Sequence, residues 1–154
     1  MKTSQEKMTK TYTLTITEAQ LQVISTACEL LARIQGGQVR EVFEHLPLKK
    51  DMDWEAYHDI QDELTRRMPE ILKNGINGWS SSFGVGHPEL PKSHDIAWDL
   101  YQVIRYEIST QQAIDDGIIQ KKGERKFPEM MTVNYDTPMK YSEEPLATVQ
   151  QVSD

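Results

Sequence analysis

The sequence predicts an α+β domain, mainly helical, with a small antiparallel sheet from an N-terminal and a C-terminal strand, and oligomeric. Two observations carry the sheet. Thr11 to Thr17 alternates, with Tyr12, Leu14 and Ile16 on one face and threonines on the other, which is the period of a half-buried strand. Met131 to Tyr135 reads as a second strand far downstream. A third observation carries the helices: most of the chain between these segments places apolar residues at helical spacing. Two strands alone make a marginal sheet, so the simplest pairing, C-terminal strand beside N-terminal one, gains if it packs across a dimer.

The elements follow in order. Residues 1–10 are polar and predicted disordered, residues 11–147 form one α+β ligand-binding domain, and residues 148–154 are a flexible tail. Thr17 opens a first helix, with Gln20 as its capping-box partner. That helix stops at Gly36-Gly37. Leu21, Ile24, Cys28 and Leu31 form one apolar stripe on it, and Val23, Ala27, Leu30 and Ile34 form another beside the first. A face this wide predicts more than one neighbour, a second subunit among the candidates. Gln38 to Leu46 is a short helical piece ended by Pro47, and Lys49-Lys50-Asp51 is a turn. Asp53 caps a third helix carrying Trp54, Tyr57, Gln61, Leu64 and Met68 along one side, which Pro69 ends or kinks. A glycine-rich loop follows. Ser93 is read as the cap of a fourth helix that fades between Ser109 and Asp116, and Gly117 to Pro128 reads as a loop.

Composition narrows the function. A chain of 154 residues is one ordinary domain and can fold without staples. One cysteine, Cys28, excludes an internal disulfide and fits a reducing cytosol. No apolar run approaches a membrane span, and the opening MKTSQEKMTKTYTL does not read as a secretory signal. Seventeen basic against 24 acidic residues give a net charge of −7. Such a field is poorly suited to polymeric nucleic acid or an anionic membrane, so any bound anion must be held by a local basic site.

The stretch from Gly75 to Arg105, GINGWSSSFGVGHPELPKSHDIAWDLYQVIR, offers such a site. A loop rich in glycine and serine, carrying Trp79 and Phe83, runs into a helix carrying Trp98, Tyr101 and Arg105. On a helical projection Ile96, Ala97, Leu100, Val103, Ile104 and Ile108 form an apolar arc, while Asp95, Asp99, Gln102, Tyr106 and Ser109 lie opposite. Trp98, Tyr101 and Arg105 sit on the border, where a ligand can meet apolar surface and charge together. Stacking a base on an aromatic ring contributes about 1–3 kcal/mol, and a hydrogen bond to a charged group roughly 1.5–3 kcal/mol. The plain alternative is that the two rings are core and Arg105 a solvated edge. The glycines fit neither a Walker A loop nor a dinucleotide fingerprint, and an ordinary surface loop would look the same. Phe83 still needs something to cover. Arg33 is either a surface ion pair with Glu29 or an anion contact beside the Gly36-Gly37-Gln38 turn. Glu107, at the centre of the apolar arc, must face outward or find a basic partner.

Metal and nucleophile readings are poor. His45, His58, His87 and His94 lack ligand-like spacing, although His87 and His94 bracket a loop with Asp95 close by. Cys28 within an apolar stripe reads as packing. Asp59, Asp62 and Glu63, with Glu55 before them, could serve a magnesium-dependent helical nucleotide hydrolase, or could be a solvated acidic face. Trp54 and Tyr57 could instead face a protein partner.

Taken together, Arg33-Ile34-Gln35-Gly36-Gly37-Gln38, EVFEHL, FGVGHPEL, AWDLYQVIR and MTVNYDTPMKYSEEPLA resemble, in that order over most of residues 11–147, a group of small phage proteins: the anti-Thoeris sponge proteins of the first described type. The resemblance implies a protein without catalysis or cofactor. It would sequester cyclic ADP-ribose isomers made by bacterial TIR-domain defence enzymes, in the cytoplasm of the infected host. It also implies homo-oligomers, dimers or hexamers, and separate sites for cyclic di- or trinucleotides. Carried onto this chain, it makes Phe83 the ring on the base and Arg105 the pyrophosphate contact, with Arg33 and Gln38 lining the same pocket or an oligomer-related one. Gly84, His87, Trp98, Tyr101 and Gln102 complete the candidate ligand-binding set. Where the pattern has a second arginine one turn beyond Arg105, this chain has Ser109, which leaves the phosphate contacts open.

Overall fold

A computed structural model describes residues 10–48, 51–71 and 83–152. Three α-helices, α1 (Glu18–Gln35), α2 (Trp54–Ile71) and α3 (Lys92–Asp115), and two 3-10 helices, Val39–His45 and Val133–Tyr135, make up the regular structure of these residues. There is no strand and no sheet among them, so the expected α+β class is wrong and the described architecture is helical. Both expected strands fail for the same reason: neither finds a ladder partner. Thr11 to Thr17 has no regular structure, and Tyr12 and Leu14 stand in solvent. Alternation marks any extended segment with two unlike sides; it does not supply the neighbour that makes it a strand. Met131 to Tyr135 instead curls after Thr132 into a 3-10 turn, closed by Tyr135 N–H to Thr132 O at 3.1 Å.

Local chemistry explains most helix ends. Thr17 Oγ1 accepts from Gln20 N–H at 3.3 Å, while Gln20 Oε1 accepts from Thr17 N–H at 2.9 Å, the reciprocal capping box. At the other end Gly37 takes φ 91°, a region that favours glycine, and lets the chain leave the helix. Asp53 Oδ1 accepts from Glu55 and Ala56 N–H and so caps α2. That helix continues past Pro69 to Ile71 rather than ending there. The expected Ser93 cap is not made: Pro91 occupies the cap position and no side chain caps the helix. The Ser93 hydroxyl turns instead to Gln35, joining the start of α3 to the end of α1.

α1 and α3 pack against each other and form the frame of the molecule; among the regular elements, α2 touches only the first 3-10 helix. α1 turns Ser25 and Ala32 inward, and α3 turns Ala97 and Ile104 inward. At the far end of α3 the chain folds back so that Ile119 and Met130 bury against Ala113, with Ile114, Ile118 and Tyr135 packed around them. Glu107 is paired by Lys122 from this returning segment, which explains a carboxylate in the apolar arc without a second subunit.

The polar arc of α3 is also covered. Asp99 and Gln102, which the helical projection sets opposite the apolar arc, are buried beneath the C-terminal segment. Asp99 accepts from Tyr141 N–H, Ser142 N–H and the Ser142 hydroxyl at 2.9, 2.9 and 2.7 Å. Gln102 exchanges two bonds with the backbone of Met139. Lys92 pairs with Glu143 beyond them. An irregular segment has backbone groups to satisfy, and α3 supplies the partners.

Candidate functional site

Two cavities lie along the α1–α3 seam. The first is built where three pieces of chain meet: the C-terminal end of α1, the loop at Phe83 to Val85, and the first turns of α3. Phe83 N–H donates to Gly36 O at 2.8 Å, which fastens the loop to the end of α1. Ala32, Arg33, Gly36, Gln38, Phe83, Val85, His94 and Trp98 enclose a space of about 50 Å³. A water molecule takes roughly 30 Å³ of liquid volume, so this cavity admits a small group and not a nucleobase. Gly36 is needed for its shape rather than for its backbone, whose φ is −74°. A Cβ there would lie 3.2 Å from Ala32 O and 3.3 Å from His94 Nε2, tighter than ordinary packing.

The second cavity is a groove of about 290 Å³ lined by Gln22, Ser25, Thr26, Arg105, Ile108 and Ser109. It is shallow and open to solvent. Three hydroxyls, an amide and a guanidinium are hydrogen-bonding equipment suited to phosphate or carboxylate oxygens. Ser109, the residue that stands in place of a second arginine, is one of those hydroxyls.

The two arginines differ sharply. Arg33 gives Nε and Nη2 to Glu29 Oε1 at 2.9 and 2.7 Å and Nη1 to Gln38 Oε1 at 2.7 Å, with Glu41 3.8 Å away. Burial alone would lower its pKa, but the hydrogen bond and charge of Glu29, then Glu41 and Tyr101, raise it. Its charge is answered twice over from within the chain. Arg105 has no carboxylate partner among the described residues; its guanidinium lies 5.0 Å from the centre of the Tyr101 ring, and its buried Nε has no hydrogen-bond partner. The ring attracts the cation but cannot accept an in-plane N–H bond.

The structure brings Arg33, Gln38, Phe83 and Trp98 to one cavity and sets Arg105 in the other. Trp98 and Tyr101 bridge them, with ring centres 5.4 Å apart. His87 sits against Phe83 at 4.7 Å and accepts from Glu89 N–H through Nδ1. Gly84 is exposed, with open space where a side chain would stand. Gln102 joins neither group, because both ends of its amide are committed to Met139. Gly75, Gly78 and Trp79 lie outside the described residues.

Sequence reasoning missed Ser25, Thr26 and His94. Ser25 and Thr26 lie on α1, whose apolar stripes dominated its reading. His94 is buried with Nδ1 2.8 Å from Asp95 Oδ1. The adjacent His94-Asp95 pair was visible, but not the glycine opposite it that lets the ring in. Among the described residues no three His, Cys, Asp or Glu side chains are grouped to hold a metal ion. Asp62 and Glu63 on α2 instead meet Arg40 and Arg67 at 3.7 and 3.9 Å. No described helix is long and apolar enough to cross a membrane. No family model, curated protein or solved structure matches the chain.

Proposed function

We propose that this protein captures a small anionic nucleotide without altering it, as an anti-Thoeris sponge would capture a cyclic ADP-ribose isomer in the cytoplasm of an infected bacterium. Arg105 is the observation that supports the reading. It is a permanent cation in a protein of net charge −7, yet no carboxylate among the described residues meets it and its Nε is unpartnered. A buried donor left unpaired costs about 1–3 kcal/mol. An anion in the hydroxyl-lined groove removes that penalty and gains charge-assisted hydrogen bonds. Trp98 and Tyr101 supply aromatic surface beside it. In this reading the phosphates lie at Arg105, Ser25, Thr26 and Ser109, and Phe83 must swing outward to cover a base.

The outer stripe of α1 supports a homo-oligomer in the same reading. Val23, Leu31 and Ile34 are exposed there, and only six apolar residues are buried among the described residues. So small a core leaves apolar surface that a second copy can cover.

Capture is tested by incubating the purified protein with cyclic ADP-ribose isomers, removing free ligand, heating, and identifying what is released. Intact isomer at stoichiometric yield is expected, with Arg105→Ala at least about 30-fold weaker, equivalent to about 2 kcal/mol. Release of nothing from the native protein, or release of a hydrolysed product, overturns the reading.

A further inference from the structure

We infer that the small cavity between α1 and the first turns of α3 is a hydroxyl subsite, in which His94 accepts the proton of a ligand hydroxyl and Gln38 donates to its oxygen. The inference rests on the nucleotide-capture reading and names which part of such a ligand enters here.

The imidazole is fixed before any ligand arrives. His94 is 3% exposed. Its Nδ1 faces Asp95 Oδ1 at 2.8 Å, and the same oxygen accepts from Gly86 N–H at 3.0 Å. A carboxylate only accepts, so Nδ1 carries the proton of the neutral ring and Nε2 presents a lone pair. Nε2 has no hydrogen-bond partner among the described residues. It faces the space left by the missing side chain of Gly36, and His94 lines the cavity.

Gln38 is oriented by a similar logic. A guanidinium only donates, so the Gln38 oxygen must be the atom that meets Arg33 Nη1 at 2.7 Å. Its amino group is then the free end. Gln38 lines the same cavity. One acceptor and one donor around a volume of about 50 Å³ complement a group that both donates and accepts and is about the size of water. A sugar hydroxyl is such a group; a phosphate oxygen cannot donate to Nε2, and a methylene satisfies neither side. Asp95 also holds Gly86, which takes φ 77°, so the dyad that orients the ring also fixes the loop following Phe83.

The test pairs ligand and protein changes. Affinities of cyclic ADP-ribose and its 2′-deoxy and 3′-deoxy ribose analogues are measured by calorimetry on the native protein, His94→Leu and His94→Gln. One deoxy analogue should bind the native protein at least tenfold more weakly than its parent. That difference should shrink below threefold in His94→Leu and survive in part in His94→Gln, whose oxygen can replace Nε2 as acceptor. Imidazole nitrogen NMR of the unliganded native protein gives a readout that needs neither variant to fold: in the neutral ring of His94 the proton should sit on Nδ1 and not on Nε2. A protonated Nε2 in the neutral ring overturns the inference and leaves the capture reading standing. So does tight binding with no preference for any ribose hydroxyl. If no cyclic ADP-ribose isomer binds the native protein, the capture reading fails and takes this one with it.

Discussion

Replacing Asp99 by asparagine removes a charge and one acceptor while keeping the shape. Asp99 Oδ1 serves Tyr141 N–H, and Oδ2 serves both Ser142 N–H and its hydroxyl. Asparagine has one oxygen. Its better orientation keeps that oxygen on Ser142 and points the amino group at Tyr141 N–H, donor against donor. One hydrogen bond to a charged group, worth about 1.5–3 kcal/mol, is lost, and two others fall to the neutral range of about 0.5–1.5 kcal/mol. Tyr141 is exposed and water can rescue part of the loss. A net destabilisation of about 3 kcal/mol follows, which for a chain of this length lowers Tm by about 6–12 °C. Circular dichroism melting reads the global effect. Amide exchange at Tyr141 and Ser142 reads whether the segment detaches before the helices unfold, in which case the Tm shift is smaller but the two amides lose their protection. A Tm within about 2 °C of the native protein, together with unchanged exchange at both amides, would refute the assignment of Asp99 as the clamp.

Three other outcomes are expected. Arg105→Met should leave stability within about 1 kcal/mol in denaturant unfolding, because the lost attraction to Tyr101, roughly 0.5–2 kcal/mol, is offset by removing an unpaired donor, while ligand capture collapses. The hydrogen bond and then the charge of Lys92 hold the Glu143 carboxyl below its usual range. The contact is therefore present above the ordinary carboxylate pKa and lost as pH falls through the lowered one. A carboxyl-carbon NMR titration should show the Glu143 midpoint move up in Lys92→Gln and also move up with added salt. Burial raises the Cys28 thiol, so its contribution is complete below the ordinary thiol pKa and lost as pH rises through the raised value. Unfolding of the native protein and Cys28→Ala at pH 7 and pH 10 should show their difference shift against the native protein at the higher pH.

What the sequence revealed and what it concealed divide along a physical line. The Thr17–Gln20 box, the Gly36-Gly37 stop and the Asp53 cap depend on residues within a turn or two of each other, and these were legible. The strands were not, because a strand is completed by a partner, and alternation at Tyr12 to Ile16 says nothing about one. The projection of α3 gave no sign that Asp99 and Gln102 are buried, because periodicity records only one helix. The segment that covers them, Met139 to Ser142, is irregular and leaves no period to detect. Ser93 had the chemistry of a cap, but Gln35, 58 residues away in sequence, claimed its hydroxyl. The cavity at His94 depends on a glycine in α1 and a ring in α3 meeting, and nothing in either local pattern announces the other.

The contrast between the two arginines bears on which one a ligand would use. For an anion to engage Arg33 it must displace or approach Glu29 and Glu41, whose negative charges already occupy the guanidinium. Any gain there is a difference between two carboxylate-type contacts, and like-charge repulsion from the displaced glutamates is subtracted from it. Arg105 carries no such competitor among the described residues, so the anion's whole attraction is available. Arg33 has a different part. By holding the Gln38 oxygen it turns the Gln38 amino group into a donor, and its ion pairs keep the end of α1 and the first 3-10 helix in register. The charge that shapes the small cavity and the charge that would attract a phosphate are therefore separate residues, joined by the Trp98–Tyr101 pair.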